Sequence, residues 1–487
     1  MEKYQHYING KWTDGSSKET IVVANPATGK DIGEIVCAKQ DDVNAAVEAA
    51  SNAYQSRILV DMLPMERAKL MRSIANELRA VSKEGGKLLC HENGKLLAGA
   101  EYEFVDAANY FDYYSGLTDK LEGHTIPVNN KVIDYTLLEP YGVSAHIIPW
   151  NFPISMLARS LSCAFAAGNS TVIKTAELTP LATASFFAKA IDNAGVPPGL
   201  INIICGYGNE AGSELTAHKD VGQMTFTGSV ATGKKILHAA AERAVPAVVE
   251  LGGKSAAIVF PDADLDKVVA SAKTGIFGQA GQICSAMSRI VVHKSVKNEL
   301  IEKLTNLAST IKVGPGDVEG TELTPVISED QVQKVENYAR SGQQAGAEAV
   351  AGGKRVEGDG YFFEATVFDN VKPDMTIAQE EIFGPVLAVL EYEDTEEAID
   401  IANGTEFGLA GGVFTKNIDQ ATITAGKLDA GQVYVNSWFT GSVATPFGGY
   451  KKSGYSREKG QEAIKGYLQV QLLWSKLALL IFQSIHF

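Results

Sequence analysis

The chain has 487 residues, 45% of them hydrophobic and 21% charged, with a formal net charge of −15. That length exceeds one ordinary core and predicts two or three domains in close contact, and the apolar share with abundant glycine excludes a disordered chain. The acidic balance argues against a nucleic-acid partner, which leaves a basic patch or stripe. Five cysteines without CxxC spacing predict reduced thiols in a cytoplasmic protein, and eight scattered histidines without HxxxH or HExxH spacing give no metal site.

The first part of the chain opens with a short strand pattern at Tyr7–Trp12. A helix is expected at Asp41–Tyr54, with Val43, Ala46, Val47 and Ala50 on one face, and another at Pro64–Val81, where Pro64 suits a helix start. From Gly142 strands and helices alternate. Strands are expected at Val143–Ile148, Thr171–Lys174, Asn202–Cys205, Gln223–Phe226 and Ala247–Glu250, with helices at Leu181–Ala194, Asn209–Ala217 and Ala231–Ala241. A second alternating region, from about Lys254 to Lys452, has strands near Arg289–Val292 and Gly411–Phe414 and helices near Leu265–Thr274 and Val296–Ile311. This order predicts an α/β fold, two parallel sheets covered by helices, with a cleft at the carboxyl ends of the strands. The segment Leu472–Phe487 is mostly apolar, but its unbroken run, Leu477–Phe482, is far short of the roughly 20 residues of a membrane span. It reads as a strand or tail against a partner subunit, with a membrane-surface contact as the alternative.

Four groups of residues carry chemistry. Cys284 follows the Gly281 turn among polar neighbours, which suits a nucleophilic thiol; a buried apolar thiol is the alternative, accepted for Cys37, Cys90, Cys163 and Cys205. Glu250 ends a buried strand, where a carboxylate can serve as general base; a cap or surface charge is the alternative. Asn151 sits in Pro149-Trp-Asn-Phe-Pro153 directly after a strand, where its amide can donate to an oxyanion, or simply make a turn. For a dinucleotide, Gly206 and Gly208 match only part of the GxGxxG pattern, whereas Gly228, Ser229 and Gly233 follow a strand and open a helix whose N–H groups suit a pyrophosphate. Lys174 and Glu177 suit an adenosine ribose, and the carboxylate disfavours a 2′-phosphate; exposed charges are the alternative.

In order, the strings Pro149-Trp-Asn-Phe-Pro153, Lys174-Thr-Ala-Glu177, Phe226-Thr-Gly-Ser229, Glu250-Leu-Gly-Gly-Lys254, Gly281-Gln-Ile-Cys284, Glu381-Ile-Phe-Gly-Pro385 and Pro446-Phe-Gly-Gly449 resemble the aldehyde dehydrogenase superfamily, to about Val470. The resemblance implies a Rossmann-like NAD-binding domain (1–121 with 141–252), a catalytic α/β domain (253–452) and a small β oligomerisation arm (122–140 with 466–487), in a homodimer or homotetramer. It implies NAD as cofactor, Cys284 as nucleophile, Glu250 as general base and Asn151 as oxyanion donor. It also places Trp150, Lys174, Glu177, Gly208, Gly228, Ser229, Gly233, Leu251, Glu381 and Phe383 along the cofactor. The presence of Glu250 favours the hydrolytic branch, in which an aldehyde becomes a carboxylic acid through a thioester, because the coenzyme-A-acylating branch lacks this carboxylate.

The expected substrate pocket holds Arg159, Ile283, Ser285, Trp438, Phe439 and Phe447, whose side chains suit an apolar or aromatic aldehyde. Arg159 is also half of the carboxylate clamp of succinate-semialdehyde dehydrogenases, but the other half falls at Gly278, so a semialdehyde using Arg159 ranks second. A structural or binding homologue without activity and a cysteine hydrolase without a cofactor are the remaining readings.

Overall fold

The computed structural model describes residues 1–129 and 131–476. The expected tail Leu477–Phe482 lies outside the described residues.

Two seven-stranded sheets organise the chain. In the first, the order is Ala247–Glu250, Val221–Thr227, Val143–Ile147, Ser170–Thr175, Ile201–Cys205, His6–Ile8, Lys11–Thr13, the first five parallel. The chain builds outward from Val143–Ile147 to Ile201–Cys205, then crosses back to add Val221–Thr227 on the other side. That reversal opens a crevice at the carboxyl ends of Val143–Ile147 and Val221–Thr227, where α/β sheets bind ligands. Val143–Ile147 and Ile201–Cys205 are buried at every position, as strands covered on both faces by helices must be.

The expected single strand at Tyr7–Trp12 is a hairpin. Asn9 and Gly10 have φ of 53° and 73°, and this pair of left-handed residues folds His6–Ile8 back on Lys11–Thr13. Other elements match the sequence closely: helices at Gln40–Gln55 and Pro64–Ala80, with proline opening the second, and a 14-residue helix at Val230–Arg243. The expected helix at Leu181–Ala194 begins as a π-turn, Thr183–Phe187, before Ala188–Asn193.

The second sheet runs Glu348–Ala351, Thr366–Asp369, Val386–Tyr392, Arg289–His293, Ala256–Val259, Ala410–Phe414, Gln432–Val435, parallel except for its first strand. Two helices that the periodicity did not separate, Ser82–Asn93 and Leu97–Ser115, pack on each other, and the second packs on Pro153–Ala167 around Phe104, Phe111 and Leu157. Val132–Pro140 pairs antiparallel with Leu468–Lys476 in a two-stranded ribbon. Among the described residues no helix is long and apolar enough to cross a membrane.

Candidate active site

The turn after Val143–Ile147 is clamped from below. Asn93 Nδ2 donates to Trp150 O at 2.8 Å, and Lys95 Nζ donates to Asn151 O at 2.8 Å. Lys95 is ion-paired with Glu103, both fully buried. Glu103 also accepts from the Ile154 and Ser155 N–H groups at 3.2 Å each, two of the free donors at the start of Pro153–Ala167. Gln279 Nε2 reaches Asn93 Oδ1 at 2.7 Å and Asn151 O at 3.3 Å. The turn carrying Asn151 is therefore tied to the loop carrying Cys284, and Asn151 Nδ2 donates to Gln282 O at 2.9 Å.

That second loop is strained. After the helix Leu265–Ala272 and a π-turn at Lys273–Phe277, Gln279, Ala280 and Gly281 all have positive φ, 53°, 51° and 70°. Only glycine fits the third position, because a Cβ there would collide with Gly384 O. Two non-glycine residues held in the left-handed region cost energy that the surrounding packing must offset, and the bend sets Cys284 on the wall of a cavity of about 630 Å³. Burial pushes the Cys284 thiol up to about 12, with Arg159 pulling down and Glu381 and Glu250 pushing further up.

Glu250 ends its strand just behind the cavity wall, which its neighbours Leu251 and Gly252 line. It is buried, and neither carboxylate oxygen has a hydrogen-bond partner among the described residues. Burial, then the nearby Glu458 carboxylate, push its pKa well above the ordinary range, against Arg159 and Arg457. The two glycines that follow are pressed between neighbours: a Cβ on Gly252 would strike the Glu381 carboxylate, and one on Gly253 the Cys284 carbonyl. Gly253 N–H donates to Glu381 Oε1 at 3.0 Å. The Glu-Leu-Gly-Gly string thus brings Glu250, Cys284 and Glu381 within one tight packing unit.

The opposite end of the cavity suits a dinucleotide. Gly228 and Ser229 line it, and Ser229 caps Val230–Arg243 by accepting from Thr232 N–H at 3.2 Å. The helix N-terminus with its free N–H groups faces this wall, a fit for phosphate charge. Gly233 makes room for Leu251, since a Cβ would run into the leucine methyls. Trp150 and Phe383 meet edge to face at 5.3 Å, and Glu381, pushed up to about 7 by burial, stands beside them. Lys174 and Glu177 lie 3.3 Å apart outside the cavity wall, with the Lys174 ammonium also donating to Thr175 O and Gly206 O at 2.6 Å. Gly208 begins an open turn with nothing within 4 Å of a Cβ, also away from the wall.

Of the expected pocket residues, Arg159, Ile283, Ser285, Phe439 and Phe447 line the cavity. Trp438 does not: it is buried in the core behind the wall, where its Nε1 donates to Ser285 O at 3.1 Å and supports the loop. Arg159 is fully buried, ion-paired with Glu458 and stacked over the Phe447 ring at 4.9 Å, so its charge is already committed within the protein. Sequence reasoning missed Asn93, Lys95, Glu103, Gln279 and Glu458. The available signal was Glu103 on the otherwise apolar face of Leu97–Ser115, a charge that needs a partner when buried. Among the described residues no cluster of metal-ligating side chains occurs.

The sequence model of the aldehyde dehydrogenase family matches residues 12–473. A mitochondrial aldehyde dehydrogenase of Arabidopsis thaliana, family 2 member B4, is 43% identical over 97% of this chain and 88% of its own length. The mitochondrial benzaldehyde dehydrogenase of Antirrhinum majus is 41% identical over 96% and 88%. The solved NAD+ complex of an aldehyde dehydrogenase from Bacillus cereus superposes with a TM-score of 0.96 at 39% identity, over 98% of this chain and 97% of that one. With its likeness running nearly end to end, this chain belongs to the aldehyde dehydrogenase family.

Proposed function

We propose that the protein oxidises an aldehyde to a carboxylic acid with NAD, by hydrolysis of a thioester on Cys284. The observation that carries this reading is the convergence of Cys284, Asn151 and the unpartnered Glu250 beside a switch-point crevice. Cys284, its proton passed to water, attacks the aldehyde carbon: a C–S bond forms as the carbonyl π bond opens to an oxyanion. The Asn151 amide and the Cys284 backbone N–H stabilise the oxyanion. Bound NAD supplies the acceptor for the hydride that leaves this carbon. Water, deprotonated by Glu250, then attacks the thioester; the C–S bond breaks, and the acid departs. A carboxyl with a raised pKa is the stronger base for that step. Gly228, Ser229, Leu251, Glu381, Phe383 and Trp150 would hold the cofactor, with Lys174 and Glu177 toward its adenosine.

The switch between sheets after Glu250 supports the division into an NAD-binding part (1–121, 141–252) and a catalytic part (253–452). The Val132–Pro140 ribbon supports an arm that joins subunits into a homo-oligomer. The free cysteines support a reducing compartment such as the cytoplasm. The cavity that Cys284 lines is also walled by Phe152, Met156 and Phe447, which favours an apolar stem on the substrate. The engagement of Arg159 by Glu458 weighs against a semialdehyde clamped by Arg159. The test is NADH formation by the purified protein across aliphatic, aromatic and semialdehyde substrates. Cys284→Ala is expected to abolish turnover while NAD still binds, measured by fluorescence titration. Turnover retained in that variant would reject the thioester.

A further inference from the structure

The substrate end of the cavity is not wholly apolar. Residues Tyr102, Glu103, Asp106 and Tyr110 of Leu97–Ser115 line it, at the three- and four-residue spacing of one helix face. Lys459, which follows Glu458, lines it too. Four charged side chains therefore stand on this wall. Glu103 is ion-paired with Lys95, and Arg159 with Glu458. Asp106 and Lys459 have no ion-pair partner within 4.0 Å among the described residues, not even each other. They are close enough to feel one another: burial pushes the Asp106 carboxyl up while the Ser155 hydroxyl and Lys459 pull it back down, and burial with Arg159 lowers Lys459 while Asp106 and Glu458 help hold its proton on.

Resting on the aldehyde-oxidising reading above, we infer that the substrate is an aldehyde whose far end is zwitterionic, an ammonium facing Asp106 and a carboxylate facing Lys459, joined to the aldehyde carbon by a short apolar stem. The two wall charges are opposite and sum to zero. A substrate with one charge desolvates both and pairs only one, leaving a partly buried charge without a counter-ion. A neutral apolar end leaves both without one. A zwitterion completes both, and the pairing is charge-assisted hydrogen bonding, the strongest kind available at such a site. Phe152, Met156 and Phe447, which line the same cavity, supply apolar surface for the stem.

A matched series separates the contributions: aspartate β-semialdehyde carries both groups, succinate semialdehyde lacks the ammonium, 3-aminopropanal lacks the carboxylate, and butanal lacks both. The expected kcat/KM for the zwitterion exceeds each singly charged analogue by about tenfold or more. In Asp106→Asn the ratio of aspartate β-semialdehyde to succinate semialdehyde collapses toward one. In Lys459→Met the ratio of aspartate β-semialdehyde to 3-aminopropanal does the same. Because each reading is a ratio within one enzyme preparation, a variant that folds poorly still reports it. Butanal turned over as well as the zwitterion, or ratios unmoved by either substitution, would overturn the inference while leaving NAD-dependent aldehyde oxidation standing. Silence toward all four and toward hexanal and benzaldehyde would instead remove the aldehyde-oxidising reading itself.

Discussion

Glu250 and Lys254, four residues apart in one string, are both buried charges without a partner, and each makes a measurable statement. Burial and Glu458 raise Glu250, so kcat is expected to rise with pH along an inflection above the ordinary carboxylate range. Glu250→Gln should lose that inflection and lower steady-state kcat by about 10²–10⁴, while a first burst of NADH persists in stopped-flow traces; an unchanged steady state would remove Glu250 as the base. Lys254 Nζ has no hydrogen-bond partner among the described residues, and burial, with Arg289 adding to it, lowers its pKa from 10.5 to about 7. Between those values the unfolded chain binds a proton that the folded chain does not, so stability rises with pH. The slope from this group is at most about 1.4 kcal/mol per pH unit. Urea midpoints between pH 7.5 and 9 should rise less steeply in Lys254→Met than in the parent chain, and parallel slopes would show that Lys254 stays charged when folded.

At the scale of elements, the turn 149–153 depends on helices far away in sequence. Lys95 and Glu103 hold Asn151 O and the start of Pro153–Ala167. Lys95→Met strands a buried carboxylate and should cost about 3–5 kcal/mol of stability. The double variant Lys95→Met with Glu103→Gln should recover most of that loss, read from the melting temperature. It should still lower kcat by about 10-fold to 100-fold with KM little changed, because the oxyanion donor is no longer held in place. Full recovery of kcat in the double variant would make the pair merely structural. The strained run Gln279–Gly281 belongs to this scale too: its bend gains its stability from Gly384 and from the Gln279 hydrogen bonds rather than from its own residues.

For the whole molecule, the ribbon of Val132–Pro140 with Leu468–Lys476 cannot stand alone, since two strands without a packed face are marginal in water. Val470, Leu472 and Trp474 project from one face of the ribbon and Ile133, Tyr135 and Leu137 from the opposite face, all exposed. Such apolar surface fits a partner subunit. Trp474→Asp is expected to shift the mass measured by light scattering from an oligomer toward the monomer; an unchanged mass would exclude the ribbon as the main contact.

The parallel sheets were legible because buried strands read as continuous apolar runs, and the helices because their periodicity is local. Cys284, Glu250 and Asn151 were legible because the bends around them demand glycine or proline at fixed positions nearby. Other features lay outside any local pattern. The hairpin at Asn9–Gly10 hid inside one apolar run, and Trp438, aromatic and near the site, faces the core because Ser285 O offers its indole an acceptor. Arg159 read as a pocket residue, with a substrate clamp or a structural ion pair as alternatives, and only Glu458, 299 positions away in the numbering, decides for the ion pair. The sequence by itself determined the family and the alternation of strands with helices, and it singled out Cys284, Glu250 and Asn151 as candidates, since each rests on spacing along the chain. Which charges remain free to meet a substrate was decided only by the tertiary structure, because an ion pair depends on what lies across the cavity and not on what lies beside it in sequence.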